Sequence, residues 1–226
     1  MISVIIPTLN EELALPATLE SLLDQDSDFE VIVVDGGSDD RTPAIVEAAA
    51  VHFRALRMLR ADRGRAQQMN AGAADAHGDW LLFLHADTVL PQKSLSRIAI
   101  LPDSVAAGCF RHRFSGRSPT LRILSWFHNR RFHFTRVIYG DQAMFVRRPL
   151  FDRLGGFPIT DMEDIGFSLA LRSATRPIML SESVTTDARK FDQMGHWHAL
   201  AHAVALLVRF RVGMNVSRDR FFGSYR

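Results

Sequence analysis

Three short apolar runs, each ending abruptly in polar or acidic residues, most constrain what this chain can fold into. They are Val4-Ile5-Ile6-Pro7-Thr8-Leu9-Asn10-Glu11, Val31-Ile32-Val33-Val34-Asp35-Gly36-Gly37-Ser38-Asp39 and Leu81-Leu82-Phe83-Leu84-His85-Ala86-Asp87. Consecutive apolar residues without polar alternation mark strands buried on both faces, as in a parallel sheet. Helical patterns separate the runs, and repeated β-α-β order implies right-handed crossovers in an α/β fold. The three polar tips then gather at the carboxyl end of one sheet, where open α/β folds bind their ligands.

Ser3 to Ile6, Glu30 to Val34, Arg54 to Leu59 and Trp80 to Leu84 read as strands. Leu15, Leu19, Leu22 and Leu23 form one apolar helical face after the first. Thr42-Pro43 predicts an N-cap and first-turn proline for a helix through about Ala50, and Arg65 to Ala76 an Ala-rich helix stopped near Gly78. Beyond Pro91 the pattern loosens. Helices are expected near Ser94 to Leu101, Pro119 to Phe134, Asp164 to Arg172 and Gln193 to Arg211, with strands around Val105 to Phe110 and Ala143 to Val146. The expected organisation is one domain over 1–226, in which residues 1–90 form a ligand-binding half. Residues 91–226 complete the sheet, supply a second wall and end in an amphipathic helix.

The length suits one α/β domain with a substantial core, and 47% apolar residues argue against global disorder. Cys109 is the only cysteine, which excludes an intramolecular disulfide and a Cys-rich zinc site. The net charge of +2 hides an asymmetry: residues 1–100 carry eight Lys/Arg against fifteen Asp/Glu, the remainder nineteen against ten. The basic residues are almost all arginine, suited to bidentate contact with phosphate or an anionic surface, or simply to a solvated face. They are not interleaved with aromatics in any nucleic-acid-recognition module, so no nucleic-acid partner is expected. The opening apolar run is only a strand long and meets Asn10-Glu11-Glu12, which is not the pattern of a secretory leader.

Each polar tip has a structural and a functional reading. Pro7, Thr8 and Glu11 can meet a ribose or base, or Asn10 and the acids can simply cap a helix. Asp35 can read a nucleoside or close an Asx-turn over Gly36-Gly37. Neither Gly-x-Gly-x-x-Gly nor a P-loop occurs, so phosphate must be held by a metal or by arginines. Asp87 is the metal candidate, and Arg65, behind the Gly64 break, a candidate base or phosphate contact. His198 and His202 share a helical face without a third ligand, and His128 and His133 read as surface or wall residues. No serine nucleophile elbow is visible.

Pro7-Thr8-Leu9-Asn10-Glu11, Val34 to Thr42, Asn70-Ala71-Gly72 and His85-Ala86-Asp87, in this order and spacing, resemble the nucleotide-sugar-binding half of family-two inverting glycosyltransferases. The resemblance continues through Tyr139-Gly140-Asp141-Gln142, Leu154-Gly155-Gly156-Phe157, Met162-Glu163-Asp164 and Ala188-Arg189-Lys190-Phe191. Within that family it is most similar to short bacterial transferases named for arsenosugar biosynthesis. The resemblance implies a GT-A fold, with a Rossmann-like, mostly parallel central sheet, helices on both faces and an acceptor-side C-terminal portion. It further implies a nucleotide diphosphate sugar donor, a hydroxyl acceptor, and Mn²⁺ or Mg²⁺. By resemblance Thr8 and Glu11 meet the nucleoside, Asp35 the base edge, Arg65 the base or diphosphate, Arg189 the diphosphate, and Asp87 the metal. Asp164 is the general base, with Glu163 its alternative, and Gly140, Asp141 and Gln142 lie on the acceptor side. Two departures stand out: His85 replaces the first acid of the usual Asp-x-Asp, leaving metal or ribose contact open to it, and Gly36 replaces a second Asp.

The expected activity is direct displacement at an anomeric carbon with inversion, Asp164 taking the acceptor proton. A noncatalytic nucleotide-sugar or membrane-surface binding protein and a nucleotidyltransferase are the alternatives; the second calls for a basic, glycine-rich loop after the first strand that Pro7 to Glu11 does not provide. The uncharged stretch from Gln193 to Val208 falls short of the ~20 residues of a membrane span. A cytoplasmic chain is therefore expected, with its C-terminal helix packed on the core or attached at the inner face of the membrane.

Overall fold

A computed structural model describes residues 1–116, 118–160 and 162–189. The expected helix from Gln193 to Arg211, with His198 and His202, lies outside the described residues.

Among the described residues eight strands form one mixed sheet: β1 (Ile2–Thr8), β2 (Phe29–Asp35), β3 (Leu56–Arg60), β4 (Trp80–Phe83), β5 (Thr88–Val89), β6 (Ala107–Phe114), β7 (Met144–Arg147) and β8 (Ile178–Thr186). Their spatial order is β3-β2-β1-β4-β7-β6-β8-β5. The first four in that order are mutually parallel, β7 runs antiparallel to β4 and β6, and β6 and β8 are parallel. The helices are α1 (Leu15–Leu23), α2 (Thr42–Ala50), α3 (Arg65–Asp75), α4 (Ser94–Ala99), α5 (Pro119–Thr135), α6 (Arg148–Leu154) and α7 (Glu163–Ala174).

The central strands β1, β2 and β4 are largely apolar because successive side chains enter two different cores. Val4, Ile6, Val31 and Val33 pack with Leu15, Leu19, Val46, Leu95 and Ile98 on one face. Ile5, Ile32 and Val34 pack with Ala66, Met69, Phe132, Phe167 and Leu171 on the other. Helix α3 approaches closest at Gly72, where a Cβ would stand 2.5 Å from Ile5 and 2.9 Å from Val34. That contact explains the glycine of the Asn70-Ala71-Gly72 segment. Asn70 explains another segment: its amide accepts the Phe157 N–H and donates to the Phe157 carbonyl, both at 2.9 Å, tying α3 to the Gly155-Gly156-Phe157 turn.

Some expectations need correction. Leu23 is 47% exposed, so the apolar face of α1 ends at Leu22. Thr42 is the first helical residue of α2 rather than its cap, and its hydroxyl accepts the Glu11 N–H instead. Strand β6 runs on to Phe114, and β8 went unanticipated because its polar Ser181, Glu182 and Ser183 hide the strand pattern. With four parallel and three antiparallel pairings, the sheet is more mixed than the β-α-β repeat alone implies.

Candidate active site

Register brings the polar tips together. Thr8 is paired with Asp35, Ile5 with Phe83, and the Leu84 N–H donates to the Ile5 carbonyl, so His85-Ala86-Asp87 emerges beside Pro7 and Thr8. The Thr18 hydroxyl anchors this segment by donating to the Ala86 carbonyl at 2.7 Å. Pro7, Thr8, Leu9, Glu11, Arg65, Gln68, His85, Ala86 and Asp87 line one cleft at the carboxyl ends of the strands. Five polar residues expected from sequence, Thr8, Glu11, Arg65, His85 and Asp87, thus share that cleft with Pro7.

Gln68 was not anticipated. It is buried on α3 and its amide donates to the carbonyls of Thr8 and Val34, both at 2.7 Å. It therefore fixes the cleft floor where β1 and β2 end. A glutamine one turn beyond Arg65 carries no sequence signal that separates it from a surface residue.

Asp35 is fully buried, and its carboxylate accepts the N–H groups of Gly37 and Ser38 and the Ser38 hydroxyl. The Asx-turn alternative describes it in this structure. The Asp187 N–H donates to the Asp87 carbonyl at 2.9 Å, and Arg189, ion-paired with Asp187, is carried by β8 to the vicinity of Asp87.

The Glu163-Asp164 pair opens α7 and divides. Glu163 is 4% exposed and pairs with Arg65, Oε1 to Nε at 2.8 Å. The Asp164 carboxylate accepts the Gly140 N–H through Oδ2 and the Ile165 N–H through Oδ1, each at 2.8 Å. Gly140 belongs to a 3-10 turn, Gly140–Gln142, and a Cβ there would lie 2.5 Å from His85 Nε2 and 3.4 Å from Asp164 Oδ2. Only glycine lets His85 and Asp164 close on the turn this tightly. Burial, with Arg65 nearby, pushes the His85 pKa down, so its ring is neutral at pH 7. Gln142 is fully buried, and its side-chain oxygen accepts the Tyr139 N–H at 3.1 Å, so it shapes the turn.

Two groups of residues suit a cation. Asp87 offers one carboxylate to the cleft, a donor set that fits Mg²⁺ or Mn²⁺, which take one or two carboxylates and complete their shell with phosphate oxygens and water. Asp141 stands instead with His112 and His128, their ligand atoms all within 4.8 Å of one another. His112 was missed although its signal is local: Phe110, His112 and Phe114 alternate with the exposed Arg111 and Arg113. His133 is exposed, whereas His128 turns inward, with a side chain only 13% exposed.

Residues 3–155 match the model of the family described as Glycosyl transferase family 2. The chain belongs to glycosyl transferase family 2. Among its relatives, a PGL/p-HBAD biosynthesis glycosyltransferase of Mycobacterium bovis (strain BCG / Pasteur 1173P2) is 32% identical over 204 residues, 86% of this chain and 78% of that one. A fragment of S. aureus TarS in complex with UDP-GlcNAc superposes with a TM-score of 0.68 at 24% identity; 82% of this family-2 chain covers 58% of it. Glucosyl-3-phosphoglycerate synthase from Mycobacterium tuberculosis, in complex with Mn²⁺, UDP and glucosyl-3-phosphoglycerate, gives 0.63 at 18% identity, covering 96% of this chain and 81% of that one. At these identities the structural likenesses show the fold alone, which is the GT-A fold of the family-2 transferases.

Proposed function

We propose that this family-2 chain is a metal-dependent inverting glycosyltransferase that moves a sugar from a nucleotide diphosphate sugar to an acceptor hydroxyl. The observation that carries the reading is the division of Glu163 and Asp164. Glu163 is neutralised by Arg65 on the donor side, while Asp164 stands half-buried against Gly140 and His85. Each Asp164 oxygen accepts one backbone N–H and keeps a second lone-pair direction, so the carboxylate stays oriented and can still receive a proton.

In this mechanism Pro7, Thr8 and Glu11 hold the nucleoside at the ends of β1, and Arg65 lies over the diphosphate or base. Asp35 holds the loop that backs the nucleoside. Asp164 takes the acceptor proton as its oxygen attacks the anomeric carbon, and the diphosphate leaves from the opposite face. Mn²⁺ or Mg²⁺, held by Asp87, would supply electrostatic stabilisation of the charge growing on that leaving group. Arg189 adds a cation on the same side, and His85, being neutral, offers a hydrogen bond to the ribose without a competing charge. A single proposed base, with no opposed carboxylate nucleophile among the described residues, suits inversion.

The likeness of Tyr139-Gly140-Asp141-Gln142 and Met162-Glu163-Asp164 to transferases named for arsenosugar biosynthesis remains the narrower proposal for the acceptor; the mycobacterial relative is named for PGL/p-HBAD biosynthesis. Among the described residues no helix is long and apolar enough to cross a membrane. Attachment at a membrane surface is favoured by α5, whose Ile123, Trp126, Phe127 and Phe134 are 53–76% exposed on one stripe beside Arg130. Co-sedimentation with anionic vesicles, lost in a Trp126→Ala/Phe127→Ala variant, tests that attachment.

The transferase reading is tested by turnover of UDP- and GDP-sugars with and without Mn²⁺. Asp87→Ala is expected to abolish transfer while retaining the fold. Full activity of that variant, or of the parent in excess EDTA, overturns the metal's part; donor binding without any turnover across acceptors favours a noncatalytic binding protein.

A further inference from the structure

Strand β6 loses its neighbour β7 after Gly108, and a bulge between Phe110 and Arg111 follows. Helix α5 covers the edge that is left. The Ser125 hydroxyl accepts the Phe114 N–H at 3.2 Å, and the Asn129 amide accepts the His112 N–H and donates to the His112 carbonyl, both at 2.8 Å. Ser125 and Asn129 are one helical turn apart, and one turn of helix spans nearly the same distance as two residues of strand. The side chains of α5 thereby replace a missing strand and hold the helix in register.

That register sets His128 against His112, with ring centroids 4.8 Å apart at 87°. The 3-10 turn inserts Asp141 between them, its Oδ1 3.5 Å from His128 Nε2 and its Oδ2 3.6 Å from His112 Nε2. These separations are too long for hydrogen bonds. Among the described residues none of the four imidazole nitrogens finds a hydrogen-bond partner, nor does Asp141 Oδ1, although the His112 side chain is fully buried. Buried polar atoms in folded proteins are satisfied by protein, water or an ion. Ligand atoms about 2.0–2.1 Å from a tetrahedral Zn²⁺ stand about 3.3–3.4 Å apart; the two His–Asp separations are close to this, and with one ligand atom from each residue the whole set lies within 4.8 Å, so an ion would draw the three together.

We propose that His112, His128 and Asp141 form a binding site for a divalent transition-metal ion, Zn²⁺ in preference to Mg²⁺, built without Asp87. Two imidazoles and one carboxylate are a borderline-soft set that suits Zn²⁺ and its neighbours in the first transition row and is poor for Mg²⁺. Burial pushes both histidines down, His128 to about 3, so both rings are neutral at pH 7 and need lose no proton to bind. Among the described residues the neighbouring Arg131 guanidinium is engaged elsewhere, 3.5 Å over the Tyr139 ring and donating to the Val137 carbonyl at 2.9 Å. Asp141 adjoins Gly140, whose N–H holds Asp164, so an ion at Asp141 fastens the 3-10 turn to β6 and α5 and positions Asp164. The proposal stands whether or not the chain is a transferase, because its test reads metal and not turnover.

The full chain, stripped with a chelator, is titrated with Co²⁺ at pH 7 while its visible ligand-field bands are followed, and Zn²⁺ is then added to displace the ion. One Co²⁺ per chain is expected in the parent, in Asp87→Ala and in a His198→Ala/His202→Ala variant. Asp141→Asn and His128→Gln, checked for an unchanged far-ultraviolet dichroism spectrum, should each bind more than about 100-fold more weakly, beyond the loss typical of an outer-shell change. Zn²⁺, but not Mg²⁺ at the same concentration, should raise the Tm of the parent. Absence of Co²⁺ bands in the parent up to millimolar metal overturns the proposal, as do bands that follow Asp87 or His198/His202. Should Asp141→Asn fail to fold, His128→Gln decides alone.

Discussion

Glu30 and Asp141 are both acids drawn into the protein, at opposite ends of the same sheet, and their surroundings differ in kind. Glu30, near the amino ends of the parallel strands, is 4% exposed and saturated: it accepts from the Ser3 hydroxyl, the His77 N–H and the Arg57 guanidinium, each at 2.6 Å. Asp141, near the carboxyl ends, meets two neutral imidazoles at distances where no hydrogen bond forms. The first arrangement locks β1, β2, β3 and the entry to β4 together. The second leaves unpartnered imidazole and carboxylate atoms facing one another, which is what the proposed ion would satisfy. Satisfaction of buried polar groups, more than their depth, separates the stabilising end of this sheet from the end that holds the cleft.

The sharpest test of that contrast lies beside Asp141. Asp164→Asn is expected to lower transfer by roughly two to four orders of magnitude while donor affinity and Tm stay near the parent values. If Glu163→Gln is the inactive variant instead, the two acids exchange their parts. At the other end, Glu30→Ala should lose about 3–5 kcal/mol of stability in urea unfolding, because it leaves Arg57 and the Ser3 hydroxyl without their common acceptor. The folded fraction should keep the parent kcat; a variant that instead lost turnover with unchanged stability would erase the distinction.

Acid unfolding sharpens the comparison further. Burial works to raise the Glu30 pKa, but the hydrogen bonds from Ser3, Arg57 and His77 outweigh it and hold it at about 2, below its ordinary 4.5. A carboxylate depressed in the folded state contributes stability above its unfolded pKa and loses it as pH falls toward the folded one. About 3 kcal/mol should therefore disappear between roughly pH 4.5 and 2, and Glu30→Gln should flatten that limb. The depressed histidines act in a higher window: below about pH 6.5 the unfolded chain takes up protons that buried His112 and His128 refuse, so stability falls there too. The smallest effect is expected at Asp141 itself. In metal-free protein Asp141→Asn should change stability by less than about 1 kcal/mol, since no hydrogen bond is lost; a penalty matching that of Glu30→Ala would mean the carboxylate is structurally satisfied after all.

Much of the cleft was legible before any fold was known. The apolar runs ending at Thr8, Asp35 and Asp87 report strands and their carboxyl ends, because burial on both faces and a polar stop are properties of a few consecutive residues. What escaped depends on partners distant in sequence. Asn70 looks like part of a binding segment but its amide closes on Phe157, and Gln142 is buried inside its turn. Strand β8 takes its place from pairing with β6, not from any alternation of its own.

By itself the sequence determined the α/β architecture, the tips that meet in the cleft and the family to which the chain belongs, since each is written in local runs and short spacings. Only the tertiary structure decided that Glu163 turns to Arg65 while Asp164 turns to Gly140, and that His112, His128 and Asp141 converge. The reason is register. A bulge after Phe110 and the grip of Asn129 on the His112 backbone set which face of β6 meets α5, and a shift of one residue would send His112 to the opposite side of the sheet.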